Sequence, residues 1–226
     1  MSECWLDSIV DDIQNITDII EVIEIIEIMV KNTDYSDSLN ASQELNVSIY
    51  IIKHLQNYVK LHKNEIDYSI ARNLSINFVN LLSNLINQNN AWNSSTNNEK
   101  TEMASQILLY IEITSFTLSC NQNITNELEV ISTNNIIVKT FHTNFSHEII
   151  FEANGSSIII PKDIYFEDKT NTCNDSAVGA LIVSLEKYLL NGIKDEQQIN
   201  TEIIAFSITN DNKTIELNNG MKVRMR

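Results

Sequence analysis

Residues 103–120 read "MASQILLYIEITSFTLSC", and two structures compete for them. The run "IEITSFTL" is rich in β-branched and aromatic residues, as strands are. Ala104, Ile107, Leu108, Ile111 and Leu118, however, recur at the spacing of one helical face. Thr96 followed by Glu99 decides between them. The pair is a capping box, in which hydroxyl and carboxylate satisfy the first free backbone amides of a helix. The 3.6-residue spacing then persists for about twenty residues, beyond the length of an ordinary strand. The spacing predicts a helix over residues 97 to 118.

Upstream the helical period continues. Trp5, Ile9 and Ile13 lie four apart, and Ile19, Val22, Ile23, Ile26 and Val30 form one stripe with Thr17 as a partial start signal and Asn32 as a stop. Ile49, Ile52, Leu55 and Val59 mark a further helix. Ile66, Ile70, Leu74, Phe78, Leu81, Leu82 and Leu85 mark another. Stripes of this width must bury against one another.

Downstream of about residue 126 the period changes to two. "LEVIS", "NIIVKTFH", "EIIFEA", "SIIIP", "AVGALIVSL", "EIIAFSI", "TIEL" and "MKVRM" are short strand-like runs separated by turn residues. Asn154-Gly155 is the strongest hairpin signal, and Asn218-Asn219-Gly220 marks a second turn. Pro161 closes a strand or sits at an edge. Helices followed by strands give an α+β chain, with residues 1–126 as a helical subdomain and 127–226 as a β subdomain.

A net charge of −15 argues against nucleic acid and anionic lipid surfaces as partners, because the phosphate attraction that dominates such binding becomes repulsion. "MSECWLDSIV" lacks the basic start and apolar stretch of a signal peptide, and no long uncharged apolar window predicts a membrane span. Of 31 asparagines, ten stand in N-x-S/T acceptor sequences: Asn15, Asn40, Asn46, Asn73, Asn93, Asn123, Asn144, Asn154, Asn174 and Asn212. Composition alone predicts roughly five, so the excess favours a secreted or ectodomain setting.

Catalytic constellations are not legible. There is no G-x-S-x-G, P-loop or G-x-G-x-x-G motif, and four glycines leave little room for one. Asp11-Asp12 and the Glu24/Glu27 pair read as solvated helix faces, and His142 and His147 as residues on opposite faces of a strand. Cys4, Cys120 and Cys173 show no zinc spacing. Neither a metal nor a cofactor is expected.

Ala91-Trp92, a short polar segment and then "EMASQILLYIEITSFTLS" together resemble a segment of the latrophilin-type adhesion G-protein-coupled receptors. The matching positions are Ala104, Ile107-Leu108, Ile111-Glu112, Ser115-Phe116 and Leu118-Ser119, while Ile113 stands where the family usually has a second glutamate. "ECWLDSIVDDI", "SIIIPKDIYF", "SAVGALIVSLEKYLL" and "INTEIIAFSITNDNKTIEL" followed by "MKVRMR" resemble other family segments in the same order.

The resemblance implies a GAIN domain: helical subdomain A over 1–126, then a twisted antiparallel β-sandwich, subdomain B, over 127–226 without its last strands. The family's self-cleaving His-Leu-Ser/Thr site has no match, since His147 is the last histidine and His54-Leu55 is followed by Gln56. No enzymatic role is therefore expected. The family implies that Cys4 pairs with an upstream module. It supplies no counterpart for Cys120 and Cys173, which read as buried free thiols.

The expected partners are the remainder of the same receptor: upstream adhesion modules, a C-terminal agonist strand and a seven-helix domain. The expected location is the extracellular side of the plasma membrane, without direct membrane insertion of this segment. The expected role is a mechanical scaffold that shelters the tethered agonist, with an unpaired edge near Glu202 to Met225. The alternative is an intracellular helical scaffold or interaction protein with no receptor role.

Overall fold

The structure is a computed structural model that describes residues 5–35, 38–121, 128–143, 149–153, 156–160, 176–183 and 203–209, with side-chain surroundings up to residue 140. Described helices precede described strands, and the chain is α+β. The helices are α1 (Trp5–Asp12), α2 (Ile19–Asn32), α3 (Ser42–Leu61), α4 (Tyr68–Ile86), α5 (Asn89–Ser94) and α6 (Asn97–Asn121), with a short 3-10 turn at Lys63–Glu65. The strands are β1 (Glu129–Ser132), β2 (Ile136–Thr143), β3 (Ile149–Ala153), β4 (Ser156–Ile160), β5 (Ser176–Val183) and β6 (Ile203–Thr209).

Residues 103–120 are helical, inside α6. Its start is the capping box: the Thr96 amide donates to Glu99 Oε2 at 2.7 Å and the Glu99 amide to Thr96 Oγ1 at 3.3 Å. The Thr96 amide, and then the Thr96 hydroxyl, which donates to the same oxygen at 2.8 Å, hold the Glu99 carboxyl below its ordinary pKa. The β-branched end does not break the helix because tertiary burial outweighs a weak local preference. Met103, Ala104, Ile107, Ile111 and Leu118 are all buried, and α6 packs against α3 and α4 as well as β2 and β5. By length and mean hydropathy α6 is apolar enough to cross a bilayer. Here that apolarity is spent on being a core helix with neighbours in both layers.

The other stripes point inward as their spacing demands. Ile19, Val22, Ile23 and Ile26 of α2 are buried, as are Ile49, Ile52, Leu55 and Val59 of α3 and Leu74, Phe78, Leu81, Leu82 and Leu85 of α4. Val30 and Ile70 are only partly buried, at the margin of the core. The start of α2 differs from expectation. Asp18, not Thr17, is the N-cap, and its Oδ1 accepts from the amides of Ile20 at 2.8 Å and Glu21 at 3.0 Å. A carboxylate at that place also favours the positive end of the helix dipole. Thr17 lies one step outside, where its amide donates to Glu21 Oε2 at 2.7 Å.

The strands make a four-stranded antiparallel sheet in the order β1-β2-β5-β6 and a two-stranded sheet, β3-β4. Ala153 faces Ser156 in register, while the expected Asn154-Gly155 turn lies outside the described residues. Along β2, buried Ile136, Val138 and Thr140 alternate with half-buried Ile137 and Lys139, the period of two expected of a strand with one face on a core. The sandwich expectation is finer than these two sheets show. The expected runs "TIEL" and "MKVRM", the turn at Asn218-Asn219-Gly220, Pro161 and His147 lie outside the described residues. Of the span from Glu202 to Met225 in which an open edge is expected, the described part is β6, which stands at the end of the four-stranded order beside β5.

Candidate functional site

Beside the packing of α6 on β2 and β5, side-chain hydrogen bonds tie the helical layer to the β1–β2 hairpin along a seam on α4. Glu129 of β1 takes Tyr68 Oη–H on Oε2 at 2.9 Å and Arg72 Nε–H on Oε1 at 2.8 Å. At the other end of the β1–β2 hairpin, Asn135 Nδ2 donates to the carbonyl and hydroxyl oxygens of Ser83, both at 3.1 Å. The hairpin is thus tied at both ends to one helix. Burial, and then the hydrogen bond to the Glu129 carboxylate, push the Tyr68 phenol above its usual pKa. The Arg72–Glu129 pair is half exposed on the arginine side, so it orients the hairpin more than it stabilises it.

Two buried amides organise the helices themselves. Gln88, fully buried, donates from Nε2 toward the carbonyls of Thr33 at 3.0 Å, Tyr35 at 2.9 Å and Asn84 at 3.1 Å. Its Oε1 accepts the Leu39 amide at 2.9 Å. Beside it, Trp92 is fully enclosed, and its Nε1 donates to the Leu85 carbonyl at 2.9 Å. The tryptophan ahead of the opening stretch is therefore a core anchor, holding α5 in place against its neighbours. Gln56 bridges α3 to α6, donating to the Tyr110 carbonyl at 2.9 Å and Thr114 Oγ1 at 3.0 Å. Its Oε1 has no partner.

A cleft of about 290 Å³ opens between α3, α4 and α6, walled by Val59, Ile66, Leu74, Phe78, Ile113 and Phe116, with exposed Lys60 and Lys63 along it. Gln56 also lines this cleft, but its unpartnered oxygen is sealed from solvent, so the cleft presents an apolar wall. Among the described residues, no three histidine, cysteine, aspartate or glutamate side chains come together as a metal site. Asp11, Asp12, Glu24 and Glu27 are exposed on helix faces. His54-Leu55-Gln56 lies within α3, with Leu55 and Gln56 buried.

The five described acceptor asparagines, Asn15, Asn40, Asn46, Asn73 and Asn93, are all exposed. They sit in the α1–α2 connection, just before α3, in α3, in α4 and in α5. Asn123, Asn144, Asn154, Asn174 and Asn212 lie outside the described residues, as do Cys4 and Cys173. The free-thiol reading is overturned for Cys120, which is disulfide-bonded. A buried thiol and a buried half-cystine occupy similar apolar surroundings, so local sequence does not separate them.

The residues that sequence reading missed, Gln56, Gln88, Glu129 and Asn135, are ordinary polar residues whose partners lie 49 to 61 positions away. A polar residue on an otherwise apolar face is the one local signal, and Gln56, between Leu55 and Val59 on α3, carries it.

No family model matches the chain, and no curated protein matches it. Among solved structures, its fold is similar to one described as "Full extracellular region of zebrafish Gpr126/Adgrg6", with a TM-score of 0.53 at 13% identity. The match covers 87% of this chain and 27% of that one, so this chain spans about a quarter of the receptor region it resembles. The likeness is one of fold: most of this α+β chain follows the path of part of an adhesion-receptor extracellular region.

Proposed function

We propose that this chain is the GAIN-type extracellular region of a latrophilin-like adhesion G-protein-coupled receptor, with residues 1–126 as the helical subdomain and 127–226 as the β-sandwich subdomain. The observation that carries the reading is the fold likeness to an adhesion-receptor extracellular region over 87% of the chain. The disulfide at Cys120 supports an oxidising compartment, and five exposed acceptor asparagines support a secretory route. The role is mechanical and non-enzymatic. The domain presents adhesion modules and holds an agonist strand, whose withdrawal costs a row of ladder hydrogen bonds and its buried side chains. The α4 seam to β1 and β2 suits such a load, since it ties the hairpin to a helix at two points.

Expression of the chain behind a secretory leader tests the proposal. Secretion of a folded, N-glycosylated form with Cys120 oxidised is the expected result. A chain that folds only reduced and unmodified in the cytosol, and is retained when sent to the secretory pathway, overturns it in favour of an intracellular scaffold. The transcript is the companion test: seven apolar spans encoded after Arg226, preceded by a Cys- and Trp-rich motif, are expected.

A further inference from the structure

Each N-x-S/T acceptor joins an asparagine to a hydroxyl two residues on, because the modifying enzyme engages both. In the five described acceptors the asparagines are all exposed, but the hydroxyls divide into two groups. Thr17, paired with Asn15, is exposed. Ser42, Ser48, Ser75 and Ser95, paired with Asn40, Asn46, Asn73 and Asn93, are 6%, 0%, 1% and 7% exposed.

Helix geometry is the reason. Residues two apart on an α-helix are separated by about 200° around the axis, so they face opposite ways. Asn46 faces outward on α3 and Ser48 faces inward, its hydroxyl donating to the Glu44 carbonyl at 2.9 Å. Asn73 faces outward on α4, and the Ser75 hydroxyl reaches the Thr114 carbonyl of α6 at 3.4 Å. The Ser95 hydroxyl is turned back onto the Ala91 carbonyl at 2.8 Å. Ser42, the first residue of α3, is held against α5 by its amide, which donates to Ser94 Oγ at 2.9 Å. Bringing amide and hydroxyl into one enzyme site at these positions requires unwinding helix whose other face carries Leu45, Ile49, Leu74 and Phe78 of the core. At Asn15 nothing needs to unwind. Its Nδ2 donates one proton to the Asp11 carbonyl at 3.1 Å, and the Thr17 hydroxyl meets Glu21 Oε1 at 3.2 Å on the surface.

We infer that Asn40, Asn46, Asn73 and Asn93 accept N-linked glycan only before α3, α4 and α5 fold, whereas Asn15 remains an acceptor afterwards. The inference rests on the extracellular reading for its biological setting. In the transfer, Asn Nδ2 bonds to the anomeric carbon of an oligosaccharide. That carbon's bond to a phosphate oxygen of its lipid-diphosphate carrier breaks. The amide gives up one proton, and the carrier leaves as the lipid diphosphate. A finished glycan departs from an exposed asparagine, so it does not obstruct the folded helices. Occupancy at the four sites therefore records a race between glycan transfer and helix docking.

The test uses the full unglycosylated chain in two forms, folded with the Cys120 disulfide intact, and reduced, alkylated and unfolded. Both are incubated with microsomal oligosaccharyltransferase and its lipid-diphosphate oligosaccharide, and occupancy is read site by site by mass spectrometry. Hydrogen exchange across α3 and α4 reports that the folded arm is folded. In the unfolded arm all five sites are expected to be modified. In the folded arm Asn15 is expected to be modified, and the other four at least about tenfold less, since only the locally opened fraction reacts. Equal modification of Asn46 or Asn73 in the two arms overturns the inference, as does failure of either in the unfolded arm. If this split holds but secretory expression leaves every site empty, the receptor reading fails and the accessibility inference stands.

Discussion

At the corner where α4 turns into α5, Gln88 is fully buried and every polar atom of its side chain is used. In the seam between α3 and α6, Gln56 is almost as deeply enclosed, but its amide nitrogen is bonded and its oxygen is not. The partners differ as well. Gln88 supplies the Leu39 amide and the Thr33 carbonyl, which sit in the α2–α3 connection with no helix ladder of their own. Gln56 supplies a Tyr110 carbonyl that already accepts the Thr114 hydroxyl at 2.7 Å. A buried amide is indispensable where it is the sole partner of backbone groups, and replaceable where it duplicates a bond. Equal burial therefore does not mean equal importance.

The corner should break first. Trp92→Ala empties a fully enclosed site and removes the bond to Leu85, and we expect a loss of about 3–5 kcal/mol, read from urea unfolding midpoints. Gln88→Leu keeps much of the volume but strands the Leu39 amide and the Thr33 carbonyl. A loss of about 3 kcal/mol is expected, at about 1–3 kcal/mol for each buried group left unpartnered. A loss below about 1 kcal/mol there would erase the contrast between the two amides.

The α4–β1 seam should respond to alkali. The Tyr68 pKa is raised above 10.0 in the folded chain, first by burial and then by its bond to Glu129. The fold therefore favours the neutral phenol. Its contribution is complete below the unfolded pKa and is lost as pH rises through the higher folded value. Tyr68→Phe should cost about 1 kcal/mol at neutral pH and flatten the stability loss above about pH 10. Tyr110, raised by burial alone, leaves part of that slope in place. An unchanged alkaline slope in the variant would show that the phenol–carboxylate bond contributes nothing.

The smallest change sharpens the comparison most. Gln56→Leu removes an unpartnered oxygen along with two bonds, and Tyr110 O keeps its hydroxyl donor. Its midpoint should stay within about 1 kcal/mol of the parent, in either direction. The same substitution at two buried glutamines should thus differ by about 2 kcal/mol or more.

The five longer helices were legible because each announces itself locally, whereas the six residues of α5 carry no such signal. Thr96 and Glu99 are three residues apart, and the stripe from Ala104 to Leu118 repeats within a single element. The start of α2 was misplaced by one residue because Thr17 and Asp18 are both good caps, and the choice depends on where the backbone turns into the helix. The Cys120 disulfide was not legible, since pairing depends on a distance that no local pattern encodes.

By itself, the sequence determined the order of the five longer helices, the faces they bury and the change of period between the helices and the described strands, because these follow from backbone geometry over a few residues. The ten acceptor motifs belong with them. Only the tertiary structure decided that α6 would serve both layers, that Gln88 would bond the Leu39 amide and the Thr33 and Tyr35 carbonyls of the α2–α3 connection, and that β1 would be anchored on α4. It also decided that four serines of those motifs would turn inward. Each of these depends on groups brought together from across the chain, where packing chooses among partners that local chemistry leaves equivalent.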